Sequence, residues 1–277
     1  MMRLVDSFRQ SRPLMNHKTS HWIRRTCLRF AILSALSGFF VFAWLIADPA
    51  SAQTASPCSS ATFDGASYTV CSFDARKDDI RLFWKGPDDK AYGGFSRLAT
   101  MLAARGRALR FAMNAGMYET DLSPVGLYVE DGRQRHHADL RDGSANFHLK
   151  PNGVFYVGDR TAGIAETSRF LAHPPAARYA TQSGPMLVID GRLHPKFRAD
   201  SGSSKIRNGV CARGPLVWFA ISDAPVTFYA FAQLFRDGLG CADALFLDGS
   251  VSSLYAPELK RDDERAPLGP IVSVTGP

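Results

Sequence analysis

The chain lacks most of the short patterns that announce a metal or a nucleophile. None of its five cysteines stands in a Cys-x-x-Cys pair, which removes the usual zinc-binding and thioredoxin-like readings. The histidines beyond residue 52, His136, His137, His148, His173 and His194, form no His-x-His or His-x-x-x-His pair. No dedicated metal site and no cofactor is therefore expected. The turn "TQSGP" at Thr181 to Pro185 is not Gly-x-Ser-x-Gly, so it predicts no nucleophile elbow. In "SGSSK", the residue three before Lys205 is Gly202, so the Ser-x-x-Lys spacing is missing too. Internal repeats, low-complexity tracts and linkers are absent between residues 58 and 277, which predicts one domain.

A strong net charge is also lacking once the N-terminus is set apart. Residues Phe30 to Ala47 are apolar and uncharged, preceded by Arg24, Arg25 and Arg29 and followed by Ala50-Ser51-Ala52. That order of basic, apolar and small residues predicts a signal peptide over residues 1–52, with the remaining chain, 53–277, periplasmic or secreted. The competing reading is an uncleaved anchor, because the apolar run approaches spanning length; a membrane is expected as a partner only in that case. Seven of the 33 Lys/Arg and two of the 26 Asp/Glu fall in residues 1–52, leaving 26 basic and 24 acidic ones. The nearly neutral remainder argues against nucleic acid as a partner.

What is present reads as strands and turns. Four cysteines remain beyond the leader, and an even count in an exported chain predicts two disulfides. Of three connectivities, Cys58 with Cys71 and Cys211 with Cys241 are favoured. "GLYVEDGRQRHH" and "MLVIDGRLHP" each set Asp-Gly between extended runs, and "NFHLKPNGVFYV" sets Asn152-Gly153 the same way, predicting three hairpins. Further strands are expected at "SYTVCSF", "IRLFW", "ALRFAM" and "PLVWFAI". One helix is expected from Phe95 to near Gly106, and a second from an N-cap at Thr227 to Gly238 or Gly240. The fold class is thus α+β, a single domain with a mixed, largely antiparallel β-sheet core flanked by helices. The charged, Pro-containing tail at 257–270 is expected to be a surface loop.

Six Asp-Gly pairs occur, and one differs from the rest. Asp131 and Asp190 suit hairpins, Asp237 a helix end, and Asp64 and Asp142 exposed loops. Asp248 follows the apolar run Ala244 to Leu247 and precedes Ser250, Ser252 and Ser253. If the strands flanking the second helix are parallel, Asp248 lies at the carboxyl end of a buried strand, where α/β sheets place ligands. It is then either a turn residue or a working carboxylate. "FAMNAGMYETD" repeats that grammar with Asn114 and Glu119, and Gln182 and Ser183 form a polar turn. In "KIRNGVCARG", Arg207, Asn208 and Arg213 stand near Cys211, and arginine's forked donors suit phosphate or carboxylate.

The motifs "MNAGMYETDLSPVGLYVEDG", "NFHLKPNGVFYV", "TQSGPMLVIDG", "RNGVCARG" and "ALFLDGSVSSLY", in that order, resemble the phosphodiester glycosidase family in its bacterial exported branch. The resemblance covers residues 58 to 270. The family's Asn-Gly-Gly-aromatic motif falls on Asn114, Ala115, Gly116 and Met117 with Tyr118, and its arginine on Arg207. Its Leu-Asp-Gly-Gly-Gly-Ser-Ser hallmark falls on Leu247, Asp248, Gly249, Ser250, Val251, Ser252 and Ser253, with two glycines replaced. The resemblance implies hydrolysis of a glycosyl phosphodiester, with a glycan or sugar phosphate as the small-molecule partner. Asp248 is then expected to be nucleophile or base, Arg207 to receive the phosphate and Glu119 to be the second carboxylate. Asn114, Gln182, Ser183, Ser252 and Ser253 are expected to orient sugar and phosphate oxygens. Two alternatives stay open: a non-catalytic periplasmic glycan-binding module, and an ordinary glycosidase acting on exopolysaccharide, for which Glu119 would be the acid.

Overall fold

Two-residue turns set the strand register of this protein. The computed structural model describes residues 56–263 and 265–277; the leader lies outside the described residues. Asp131-Gly132 and Asp190-Gly191 both adopt left-handed backbone, with φ of 49° and 73° and of 46° and 77°. That is the paired positive φ of the hairpin turn whose twist matches its strands. Asp64-Gly65 does the same, at 46° and 74°. It closes the hairpin of β1 (Cys58–Phe63) and β2 (Ala66–Asp74) rather than lying in an open loop, because alternating runs flank it on both sides.

Three antiparallel sheets result. The first has the order β1, β2, β13 (Leu216–Ser222), β12 (Asn208–Arg213), β14 (Ala244–Phe246), β10 (Met186–Ile189), β11 (Arg192–Leu193). The second runs β16 (Arg261–Asp262), β15 (Leu254–Ala256), β4 (Ala108–Asn114), β17 (Ile271–Gly276), β3 (Asp79–Phe83). The third runs β6 (Arg133–His136), β5 (Tyr128–Glu130), β9 (Ala177–Ser183), β7 (Gly153–Gly158), β8 (Ala162–Glu166). Helices α1 (Phe95–Ala103), α2 (Thr167–Ala172) and α3 (Phe228–Gln233) complete the α+β domain. All ladders among these strands are antiparallel. Strands β13 and β14 do run in the same direction, but β12 lies between them and pairs with both.

The core forms where the sheets face one another. Phe219 of the first sheet lies 5.0 Å from Phe111 of the second and 5.8 Å from Phe155 of the third, centroid to centroid. Such tilted and edge-on pairs add to the apolar area each ring buries. Both predicted helices form. On α1, Phe95, Leu98 and Leu102 are buried on one face. On α3, the Thr227 hydroxyl accepts from the Ala230 amide at 3.1 Å, the expected N-cap. The chain continues as one π-helical turn, Leu234–Gly238, and the left-handed glycine that ends it is Gly240, at φ 66°, not Gly238. Disulfides join Cys58 to Cys71 and Cys211 to Cys241. Among the described residues no helix is long and apolar enough to cross a membrane.

Two expectations are corrected. Asn152-Gly153 is not a hairpin turn: Asn146–His148 is a 3₁₀ turn, and β7 begins at Gly153 to pair with β8 and β9. Asn152 is buried instead, its amide donating to Phe147 O at 3.0 Å and accepting from Thr167 Oγ1 at 2.8 Å. The 257–270 segment is not simply a surface loop either. Asp263 accepts from the Leu254 amide and pairs with Arg261, and Leu268 is buried beside α1, so polar and apolar anchors hold the segment to the second sheet.

Candidate functional site

Ends of strands from all three sheets converge on one small region. Asn114 is the last residue of β4, Asn208 the first of β12, and Ser183 the last of β9. The hallmark loop, residues 247–253, leaves the first sheet after β14 and enters the second at β15. Ser183 Oγ donates to Leu247 O at 2.7 Å, so the third sheet also holds that loop. Gly249 leaves little room for a side chain, because a Cβ there would stand 3.0 Å from the Phe246 ring and 3.1 Å from Ile206 O.

Asp248 is not in a hairpin turn: neither it nor Gly249 has positive φ. Its carboxylate accepts from the Ser250 amide at 3.0 Å. It keeps a partly accessible edge, yet burial pushes its carboxyl up to about 6, against the smaller lowering effect of the Ser250 and Gly249 amides. No salt bridge compensates it among the described residues. Burial chiefly, and then the Asp248 charge, raise the neighbouring Tyr118 phenol to about 12. That hydroxyl donates to Pro267 O at 2.6 Å.

Arg207 is the second unusual charge. It is 2% exposed and has no carboxylate partner among the described residues; its Nε donates to Val226 O at 2.9 Å and one terminal nitrogen to Ser203 O at 3.0 Å. The guanidinium lies 3.6 Å above the Phe228 ring and 5.6 Å from that of Phe246. Burial alone lowers its pKa to about 10. A buried cation held by neutral carbonyls and rings keeps the chemistry to take an anion.

The remaining expected residues divide sharply. Ser252 Oγ donates to Asp248 O at 2.7 Å, and the Ser253 amide donates to Asn114 Oδ1 at 3.0 Å, so both serines stand within the web around Asp248. Asn114 is fully buried, and its Nδ2 has no hydrogen-bond partner among the described residues. Gln182 is different: its Oε1 accepts from the Leu127 and Asp139 amides and its Nε2 donates to Asp139 O and Thr167 Oγ1. Its amide is fully engaged in tying β9 to neighbouring loops. Glu119 is exposed in a turn closed by the Tyr118–Pro124 bridge, and its charge acts on Arg141, not on Asp248. No cluster of three His, Cys, Asp or Glu suited to a metal ion occurs among the described residues.

Asn208 is the residue that sequence reasoning undervalued. Its Nδ2 donates to Asn114 O and Oδ1 at 3.1 and 2.9 Å, and its Oδ1 accepts from the Asp248 amide at 3.0 Å. The only sequence signal was its place directly after Arg207 at the start of a strand.

Comparisons with known proteins agree with this architecture. The phosphodiester glycosidase family model matches residues 107–271. An uncharacterized protein of Escherichia coli K12, YigE, is 32% identical over 238 residues, covering 84% of this chain and 91% of the relative. Two solved structures share the fold. A hypothetical protein from Synechocystis superposes with a TM-score of 0.53 at 14% identity, over 79% of this chain and 61% of that one. This chain therefore spans under two thirds of that protein's length. The catalytic domain of zebrafish N-acetylglucosamine-1-phosphodiester alpha-N-acetylglucosaminidase, auto-inhibited by its pro-peptide, gives 0.52 at 16% identity, over 78% and 81%. With more than half of the chain matched by the family model and a relative above 30% identity along most of its length, this protein belongs to the phosphodiester glycosidase family.

Proposed function

We propose that this chain is an exported hydrolase that cleaves a glycosyl phosphodiester linkage, a sugar 1-phosphate ester, of a cell-envelope or extracellular glycan. The observation that carries the reading is a partly buried carboxylate, Asp248, on a loop held by Asn208, which directly follows a buried guanidinium, Arg207, that has no carboxylate partner among the described residues. An ordinary glycosidase needs a carboxylic acid to protonate the departing oxygen and a second carboxylate as nucleophile or base. Glu119, the expected second carboxylate, is exposed, and its charge acts on Arg141 rather than on Asp248. A departing phosphate monoester is a stable anion and needs a cation more than a proton. Asp248 then attacks the anomeric carbon, or activates water toward it, while Arg207 receives the phosphate. Export is supported by the two disulfides and by the small-residue box at Ala50-Ser51-Ala52.

The test is sugar release from a panel of glycosyl phosphodiesters and matched glycosides by the chain from residue 53 onward. Turnover of phosphodiesters by wild type and its loss in Asp248→Asn are expected. Binding without turnover by either protein would favour a glycan-binding module. Preferential cleavage of sugar–sugar linkages, abolished by Glu119→Gln, would favour an ordinary glycosidase.

A further inference from the structure

The loop carrying Asp248 is pinned at both ends by a pair of asparagines from different sheets. Asn208 Oδ1 accepts from the Asp248 amide at 3.0 Å, and Asn114 Oδ1 accepts from the Ser253 amide at 3.0 Å. The two side chains are joined by Asn208 Nδ2, which donates to Asn114 Oδ1 at 2.9 Å. Neither amide can be turned over. The Asp248 and Ser253 amides are obligate donors and Asn114 O is an obligate acceptor, so each asparagine has one permitted orientation. Both residues are fully buried, which makes every member of the network expensive to lose.

We infer that Asn208 is a positioning residue: with Asn114 it forms a clamp that sets the conformation of the 248–253 loop and so the placement of the Asp248 carboxylate. The inference rests on Asp248 as the reacting group. Ser252 adds a third tie, since its hydroxyl donates to Asp248 O at 2.7 Å from within the loop. The clamp joins the first sheet to the second exactly where the chain crosses between them, so the loop's geometry depends on the two sheets being docked. A displacement of about 1 Å at a reacting group can reduce a rate by ~10²-fold.

Backbone amide exchange, read by NMR, tests the clamp without any substrate. Asn208→Ala is expected to speed exchange at both Asp248 and Ser253 about tenfold or more, as loss of one buried hydrogen bond implies. Asn208→Asp separates the two ties and serves if the alanine variant does not fold. It keeps an acceptor for the Asp248 amide, but it draws Asn114 into donating and so leaves the Ser253 amide unpaired. Only Ser253 should then exchange faster. On a phosphodiester that wild type turns over, Asn208→Ala should lower kcat ~10- to 10²-fold with KM within ~3-fold. The Asn114→Ala, Asn208→Ala double variant should lose little more than the worse single variant, because the two act as a unit. Unchanged exchange at both amides in Asn208→Ala, or losses in kcat that multiply, would overturn the inference. Should no phosphodiester be cleaved, the proposed function fails, while the exchange result still decides whether the clamp exists.

Discussion

Asp190-Gly191 and Asp248-Gly249 are the same dipeptide after the same kind of apolar strand, and they do opposite things. At 190 both residues take positive φ, and the strand turns back on itself within the first sheet. Arg169 bonds the exposed Asp190 carboxylate, and that hydrogen bond holds its pKa below the usual value. At 248 neither residue takes positive φ, the chain passes to another sheet, and burial raises the carboxyl to about 6. The difference lies in what receives the chain. A hairpin turn closes on itself and faces water, whereas the 248 loop is held by residues from three strands distant in sequence.

That contrast can be tested most strongly by amidation. Asp248→Asn should reduce turnover of a phosphodiester by ~10³-fold or more while the fold is retained, and Asp190→Asn should not; initial rates and melting curves of the pair give the answer. Glycine substitution is expected to have the next largest effect. Gly249→Ala places a methyl against Ile206 O and the Phe246 ring, which should lower stability by about 1–3 kcal/mol and activity at least tenfold by displacing Asp248. Gly191→Ala meets open space at φ 77°, so only backbone strain of roughly 1 kcal/mol is expected, with activity intact; denaturant titration and rates distinguish the two.

The pH dependence is a subtler discriminant. A carboxyl whose folded pKa is raised to about 6 makes the folded state bind its proton more tightly than the unfolded chain does. The contribution of this one group to stability is therefore greatest at low pH and falls as pH rises from about 4 through 6, by on the order of 2 kcal/mol for this partly accessible carboxyl. Burial also raises Glu130, to about 7, so the useful quantity is the wild-type curve minus that of Asp248→Asn between pH 4 and 6. The rate should show an acid limb near pH 6 in kcat/KM, because a nucleophile or base must be ionised. Asp190→Asn is the smallest perturbation: it keeps a residue tolerant of the left-handed turn and should leave melting temperature, rate and pH profile unchanged.

Local chemistry made much of the fold legible. The Asp131 and Asp190 turns, the amphipathic face of α1, the Thr227 cap and the two cysteine pairs depend on residues close in sequence or on simple pairing rules. Asn152-Gly153 misled because its dipeptide is a good turn former, yet the buried Asn152 side chain is satisfied by Phe147 and Thr167. Gln182 shows the same limit of local reading: it stands before a turn, and nothing local shows that four distant groups engage its amide. Glu119 was singled out by its place after the Asn114 strand end, and the turn that carries it faces solvent.

By itself the sequence determined the grammar of this protein: hairpins at paired positive φ, apolar strands that must be covered, an even set of cysteines, and a carboxylate set between an apolar run and serines. Those features follow from backbone sterics and from the cost of wetting apolar surface, which act over a few residues. Tertiary structure alone decided which polar groups meet. Asn114 and Asn208 are 94 residues apart and Ser183 and Leu247 are 64 apart, yet they bond directly. Only the docking of three sheets brings those groups within hydrogen-bonding distance, and only the exclusion of water there raises the Asp248 carboxyl above the usual carboxylate range.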